Sequence, residues 1–579
     1  MKALRVACVA ALLLGVAGWA FFQSAPPSRS LAEVVPAGPL LYLEAKDFSA
    51  IVRDWNASPE KEAWLKSDNY AVFVRSHLLL RLTDARDEFS TAAGVPPDMA
   101  LVSDVAGSES ALALYDIGKL EFLYVTRLPA ARAAETALWR ARGDYQPRSA
   151  AGAEYFVKVD PASRRTVAFA VSGDYLLLAT REDLVAGALL LLAGKPGAAV
   201  SSERWFDQSV KAAGPAGDLR LVMNLEAILR TPHFQSYWIQ SNISDLRPYS
   251  SAVSDLHRSA GEYREERVFL RAQPSVAADP EAAAPARGSE EAAVGALLPF
   301  VPDSCGIYRA WAAPKVDDAV ALLEQKILLP RTGAPPASKE APGVYLSGGV
   351  VGSEADLETC IDEPPLPGVR SGVATESLRK LFQDAHLQGL LQLQSTRQVG
   401  GFVATPSALV FLGATDWNPE TVRSALVPAV ETLWSTSRLG LRWVEKKQGA
   451  VSYSELDGLA RLTLGVRGRF LVIAEDSDAV AALLAKAPGT PASQGATYAA
   501  GFCHAAERVN LARMVRWMDF PSLPPESAGE GAEGGREPAF FSQNMQSFSS
   551  TLSRVESSSI LVRDSGPTVS QTVVYKWKQ

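Results

Sequence analysis

The stretch Val167-Ala168-Phe169-Ala170-Val171-Ser172-Gly173-Asp174-Tyr175-Leu176-Leu177-Leu178-Ala179-Thr180 sets two apolar runs on either side of Gly173-Asp174. Such runs read as strands, and the pair between them reads as a two-residue hairpin turn, because Gly and Asp tolerate the positive φ that such a turn requires. The strands are therefore antiparallel. Beyond them, Thr180 is placed to N-cap a helix whose first turn carries Glu182 and Asp183, where acidic side chains complement the helix dipole. The pattern then returns as Gly468-Arg469-Phe470-Leu471-Val472-Ile473-Ala474-Glu475, with Arg467-Gly468 at the turn and Asp476-Ser477-Asp478 opening the next helix.

Other echoes keep the same order. Val35-Pro36-Ala37-Gly38-Pro39-Leu40-Leu41-Tyr42 matches Val301-Pro302-Asp303-Ser304-Cys305-Gly306-Ile307-Tyr308; Ser110-Ala111-Leu112 matches Ser407-Ala408-Leu409; Trp139 matches Trp434; and Tyr249-Ser250-Ser251 matches Phe548-Ser549-Ser550. The separation grows along the chain, as insertion would make it. A period this long lies outside the solenoid range and implies two tandem related halves, 31–272 and 292–579. Each half opens with a strand (Leu40 to Ala45, Gly306 to Ala310) and a helix (Phe48 to Trp55, Val316 to Ile327). In the first, Leu78, Leu82, Ala85 and Phe89 recur at helical spacing as one apolar stripe. The fold class is α+β, each half a mainly antiparallel sheet backed by helices. Ala, Pro, Gly, Ser and Glu dominate 273–291, read as a disordered linker, and the loops 330–343 and 521–538.

Met1-Lys2-Ala3-Leu4-Arg5 followed by the apolar run 6–22 is an export segment. Residues 1–30 are read as a signal peptide or an N-terminal membrane anchor; Gly18-Trp19-Ala20 suits cleavage, while the run also approaches the length of a spanning helix. Either outcome leaves the rest of the chain outside the cytoplasm, in the cell envelope, touching the membrane only through this segment. The formal net charge of −7, more acidic once Lys2, Arg5 and Arg29 are set aside, excludes the clustered basic surface that nucleic acid needs. Beyond the export segment Cys305, Cys360 and Cys503 are too few for a disulfide scaffold; a Cys305–Cys360 bridge is left open by their spacing.

No linear motif carries chemistry. His77, His233, His257, His386 and His504 lie outside metal-ligand spacing of one another, and His504 beside Cys503 reads as a buried strand end, so neither a metal nor a cofactor is expected. The pairs Glu182-Asp183 and Asp317-Asp318 sit in first helical turns, where the dipole accounts for them. Gly348 to Gly352 lacks the lysine and helix of a phosphate loop. The most suggestive feature is apolar: Phe234, Tyr237 and Trp238 share one helical face, with Met514, Trp517 and Met518 in the analogous place later. That face either lines a groove for an apolar ligand or an envelope protein, or seals a packing interface.

The export segment, the Val-Pro-x-x-x-x-x-Tyr opening and the segment Ala170 to Leu184 together resemble bacterial envelope proteins known only as a domain of unknown function. The resemblance implies export and a duplicated α+β build, and supplies no catalytic residue. The function expected is non-catalytic binding or scaffolding in the bacterial envelope. The alternative is an envelope hydrolase whose site is assembled from residues distant in sequence.

Overall fold

The computed structural model describes residues 29–66, 70, 74, 77–232, 246–272, 287–303, 305–328, 374–399, 402–404, 406–434, 442–449, 451–457, 462–486, 496–504, 506–507 and 555–577. The chain is α+β, and the strand pairs given below among the described residues are antiparallel. It divides into two compact units, Met1–Ser49 with Glu88–Asp207, and Ala50–Asp87 with Gln208–Gln579.

The first unit holds β1 (Leu41–Ala45), β2 (Ser110–Asp116), β3 (Glu121–Arg127), β4 (Gln146–Ala150), β5 (Ala153–Val159), β6 (Thr166–Ser172) and β7 (Tyr175–Ala179). Side by side they run β4, β5, β6, β7, β3, β2, β1. The hairpin that the sequence announces joins β6 to β7, with Ser172 opposite Tyr175. Gly173 alone takes the positive φ, +58°, and Asp174 does not, so this is the turn form with glycine first. Thr180 is not the cap expected of it. Its hydroxyl accepts from the Phe122 amide at 2.9 Å and donates to the Leu120 carbonyl at 3.3 Å, tying off a strand end, while the helix Glu182–Leu192 starts after Arg181 without a side-chain cap. That helix buries Leu184, Val185, Ala188 and Leu189 and packs on β6 and β7. A core around Leu138, Phe156, Phe169 and Leu176 holds ring contacts from Phe169 to Tyr145 at 5.0 Å and to Phe156 at 5.2 Å.

The second unit contains β8 (Leu219–Met223), β9 (Tyr249–Ser259), β10 (Glu262–Arg271), β11 (Ile307–Ala312), β12 (Gly389–Gln394), the small hairpin β13 (Arg397–Val399) and β14 (Phe402–Ala404), β15 (Ser407–Leu412), β16 (Arg442–Gln448), β17 (Val451–Asp457), β18 (Leu462–Arg467), β19 (Phe470–Ala474), β20 (Tyr498–Cys503), β21 (Val555–Asp564) and β22 (Thr568–Trp577). The order is β8, β9, β10, β22, β21, β20, β11, β12, β15, β19, β18, β17, β16. Alternate residues of β12, β15 and β19 face opposite ways. Leu390, Leu409, Phe411 and Ile473 join one core, with the helices Glu376–Asp384 and Pro419–Trp434; Leu391, Val410 and Val472 join the other, with the helix Ser477–Ala485. Here the N-cap is Asp476, whose carboxylate accepts from the Asp478 amide at 3.0 Å. The turn between β18 and β19 is Gly468-Arg469, one residue on from Arg467-Gly468, with Gly468 at φ +55°.

Registers in the two units run in step. From Tyr42 the Cα partners lead to Ala113, Leu123, Ala179 and Ala168; from Tyr308 they lead to Leu393, Ala408, Ala474 and Thr463, through strands met in the same order. Ser110 and Ser407 do not correspond in these runs: β2 lies next to β1, whereas β15 lies one strand beyond the neighbour of β11. A three-residue apolar echo fits either strand, so it could not tell them apart.

The compact units cut across the halves expected from the repeat, because β10 pairs with β22 along nearly its whole length. The linker expected over 273–291 ends early: the helix Arg287–Leu297 begins inside it, where Glu290, Glu291, Ala292 and Ala293 favour helix. Residues 273–286, the loops 330–343 and 521–538, and Phe548 lie outside the described residues, as does the export segment 6–22. No helix among the described residues is long and apolar enough to cross a membrane.

Candidate functional site

Phe234, Tyr237 and Trp238 lie outside the described residues, as do Met514, Trp517 and Met518. The segment leading to the first group is placed. Asn224 caps the short helix Leu225–Ile228 by accepting from the Ala227 amide at 3.0 Å. Leu225 packs into a core with Tyr249, Phe269, Tyr498, Ala500 and Ile560.

Three histidines whose side chains are described have separate surroundings. His257 on β9 lies 3.7 Å from Glu266; His504 is buried and stacks edge-on against Phe502 at 4.8 Å; His386 follows the helix Glu376–Asp384 at φ +44°. Among the described residues no group of three His, Cys, Asp or Glu could hold a metal ion. Cys305 is a buried free thiol donating to the Ile307 carbonyl at 3.0 Å. Burial pushes it up to about 12, which keeps it protonated and poorly nucleophilic. Cys360 lies outside the described residues.

Several polar groups are absorbed by structure. Arg220 and Asp255, register partners on β8 and β9, form a buried bidentate pair with contacts of 2.8 and 2.7 Å, to which Gly217 N donates and from which Gly214 O accepts at 3.0 and 2.8 Å. Glu507, fully buried, accepts from Thr396 N at 2.8 Å and Thr396 Oγ1 at 2.6 Å. The carboxylate lies so close to Gly306 that a Cβ there would stand 1.8 Å from Oε1. Glu265 is pushed up by burial, but the Arg267 guanidinium and the Ser254 hydroxyl outweigh this and hold it below the usual carboxylate range.

Gln392, at 0 % exposure on β12, has no hydrogen-bond partner at either Nε2 or Oε1. Its register neighbours are Arg309, itself buried, and Leu409. Gln394 and Ser407 are further buried polar residues on the same face, which also carries Leu390 and Phe411. That face is covered in part by a wide π-helical turn, Glu324–Leu328, carrying the buried Lys326; π-turns recur at functional positions. In the first unit the corresponding row is Leu43, Leu112 and Tyr124. The second row is thus polar where the first is apolar. Sequence reasoning missed Gln392, although a signal was there: Gly389-Leu390-Leu391-Gln392-Leu393-Gln394 places glutamines at alternate positions of a strand apolar on both faces. A carboxamide flanked by a guanidinium can donate and accept hydrogen bonds; it supplies neither nucleophile nor base.

Neither a family model nor a curated protein matches the chain. Among solved structures it is similar to crystal form III of TP0453, at 11% identity over 43% of this chain and 82% of that one with a TM-score of 0.23. Crystal form I gives 11%, 43%, 82% and a TM-score of 0.24. Scores this low leave the fold resting on the strand pairings described above.

Proposed function

We propose that the chain is a non-catalytic binding or scaffold protein of a bacterial cell envelope, built from two tandem copies, 31–272 and 292–579, of one α+β unit. The parallel registers from Tyr42 and Tyr308 support the duplication. Export rests on the basic start and the apolar run 6–22.

The observation that carries the binding reading is Gln392. A buried carboxamide with neither atom bonded costs about 1–3 kcal/mol, and the first copy avoids that cost with Leu112 at the corresponding place. A bound group that both donates and accepts, such as a carboxamide, a carboxylic acid or a peptide unit, would offset it. An apolar body attached to that group would suit the surrounding Leu390, Leu409 and Phe411. The natural test is Gln392→Leu. It should raise the urea midpoint, by the equivalent of about 1–3 kcal/mol, while native mass spectrometry of the full chain purified from envelopes loses any small molecule that the wild type retains. A variant less stable than wild type would give Gln392 a structural role and sink this reading.

A further inference from the structure

The strand order β8, β9, β10, β22, β21, β20 reads the same from either end, and the registers make the symmetry definite. Leu219 opposes Leu256, which opposes Glu265; in the other triplet Tyr498 opposes Val562, which opposes Gln571. Each hairpin turns over two residues, Ala260-Gly261 and Gly566-Pro567, so Ser259 matches Ser565 and Glu262 matches Thr568; on that footing Glu265 corresponds to Gln571, Glu266 to Thr572 and Arg267 to Val573. Across the seam Glu265 faces Val573, Arg267 faces Gln571, and Glu266 faces Thr572. Each pair is matched by its counterpart with the strands interchanged, and the pair Glu266/Thr572 lies on the local twofold axis. Such self-complementary pairing is what an isologous contact between identical surfaces produces.

We infer that β10 and β22 meet as two diverged copies of one self-recognising strand edge, and that Glu266 on the axis selects pairing with the other half over pairing with the same edge of a second chain. This rests on the duplication proposed above. If β10 met β10 of another molecule in the same register, Glu265 and Arg267 would face each other twice, a favourable exchange, but Glu266 would face Glu266. Like charges directly opposite on a ladder are destabilising. Thr572 removes that clash. Glu266 is also held on its own side by Arg264 at 2.6 Å and His257 at 3.7 Å, and the carboxylate opposite it on β9, Asp255, is neutralised by Arg220. The register puts Ser570 and Arg563 at the corresponding places beside Thr572, so a carboxylate moved to position 572 would meet a cation on β21.

Specificity of this kind works by a repulsive element against the wrong partner, and it predicts that the two axial residues can be interchanged. In the full chain, Thr572→Glu should lower the urea midpoint, and Glu266→Thr/Thr572→Glu should restore it to the wild-type value. A double variant that stays as low as Thr572→Glu overturns the inference. Should Thr572→Glu fail to accumulate, Glu266→Thr supplies a second reading: refolded at rising protein concentration, it should form several-fold more dimer by light scattering than wild type, and no increase counts against the role of Glu266. Glu266→Cys/Thr572→Cys separates this inference from the duplication. If the short crosslink forms within one chain but interchange is not tolerated, only the selectivity falls; if it does not form, the strand pairing fails and the duplication loses its support as well.

Discussion

Asp255 and Arg220 illustrate how a charged residue inside a sheet is tolerated: both carboxylate oxygens and two guanidinium nitrogens are used, and the backbone of Gly217 and Gly214 adds a bond to each partner. Removing one partner strands the other. Asp255→Ala should therefore cost about 3–5 kcal/mol, whereas Arg220→Met/Asp255→Leu should cost much less, because no buried charge remains; urea titration of both variants distinguishes them. Cys305 gives the molecule an alkaline limit. The folded thiol keeps its proton to about 12, while an unfolded thiol releases it near its ordinary value, about 8.5. Between those values the unfolded state binds fewer protons than the folded one, so stability falls as pH rises. Tyr308, pushed up to about 12 by burial and then by Cys305, acts in the same direction. The urea midpoint should drop from about pH 8 upward, and Cys305→Ser should flatten that drop.

At the scale of elements, the glycines of the hairpins and strands separate backbone strain from packing. Nothing lies within 4 Å of a Cβ built on Gly173, whose φ is +58°, so Gly173→Ala tests the turn conformation alone and should cost about 1 kcal/mol. Gly465 sits in β18 under the helix Ser477–Ala485, and a Cβ there would come within 2.2 Å of Leu484 Cδ1. Gly465→Ala should cost roughly 1–3 kcal/mol through overpacking, and Gly465→Ala/Leu484→Ala should recover part of the loss. The same elements show what was legible beforehand. Two apolar runs with Gly173-Asp174 between them revealed the β6–β7 hairpin, because those signals are local. The place of Thr180 was not legible, since its hydroxyl answers to Phe122 and Leu120 on a neighbouring strand. Nor was Gln392: a strand covered on both faces has no solvent side against which a buried polar residue would stand out. The aromatic face of Phe234, Tyr237 and Trp238 remains an expectation of the sequence, beyond the described residues.

For the whole chain, export predicts that cell fractionation recovers the protein with the envelope and that the mass of its mature N-terminus separates cleavage from anchoring; full-length protein in the soluble cytoplasm would refute export. The seam between β10 and β22 also has a consequence in time. A chain emerging N-terminus first presents β10 roughly 300 residues before the strand that will cover it, and contacts so distant in sequence form late. Throughout synthesis, then, the hairpin of β9 and β10 stands with one ladder of amides and carbonyls open. Glu262, Arg264, Glu265, Glu266 and Arg267 crowd that strand, the composition by which proteins keep unpaired edges from sticking to one another. Glu262→Thr/Arg264→Thr should leave the finished protein almost as stable as before and yet raise the turbidity of refolding mixtures. The charge on β10 protects an unfinished molecule during the interval before its last neighbour arrives.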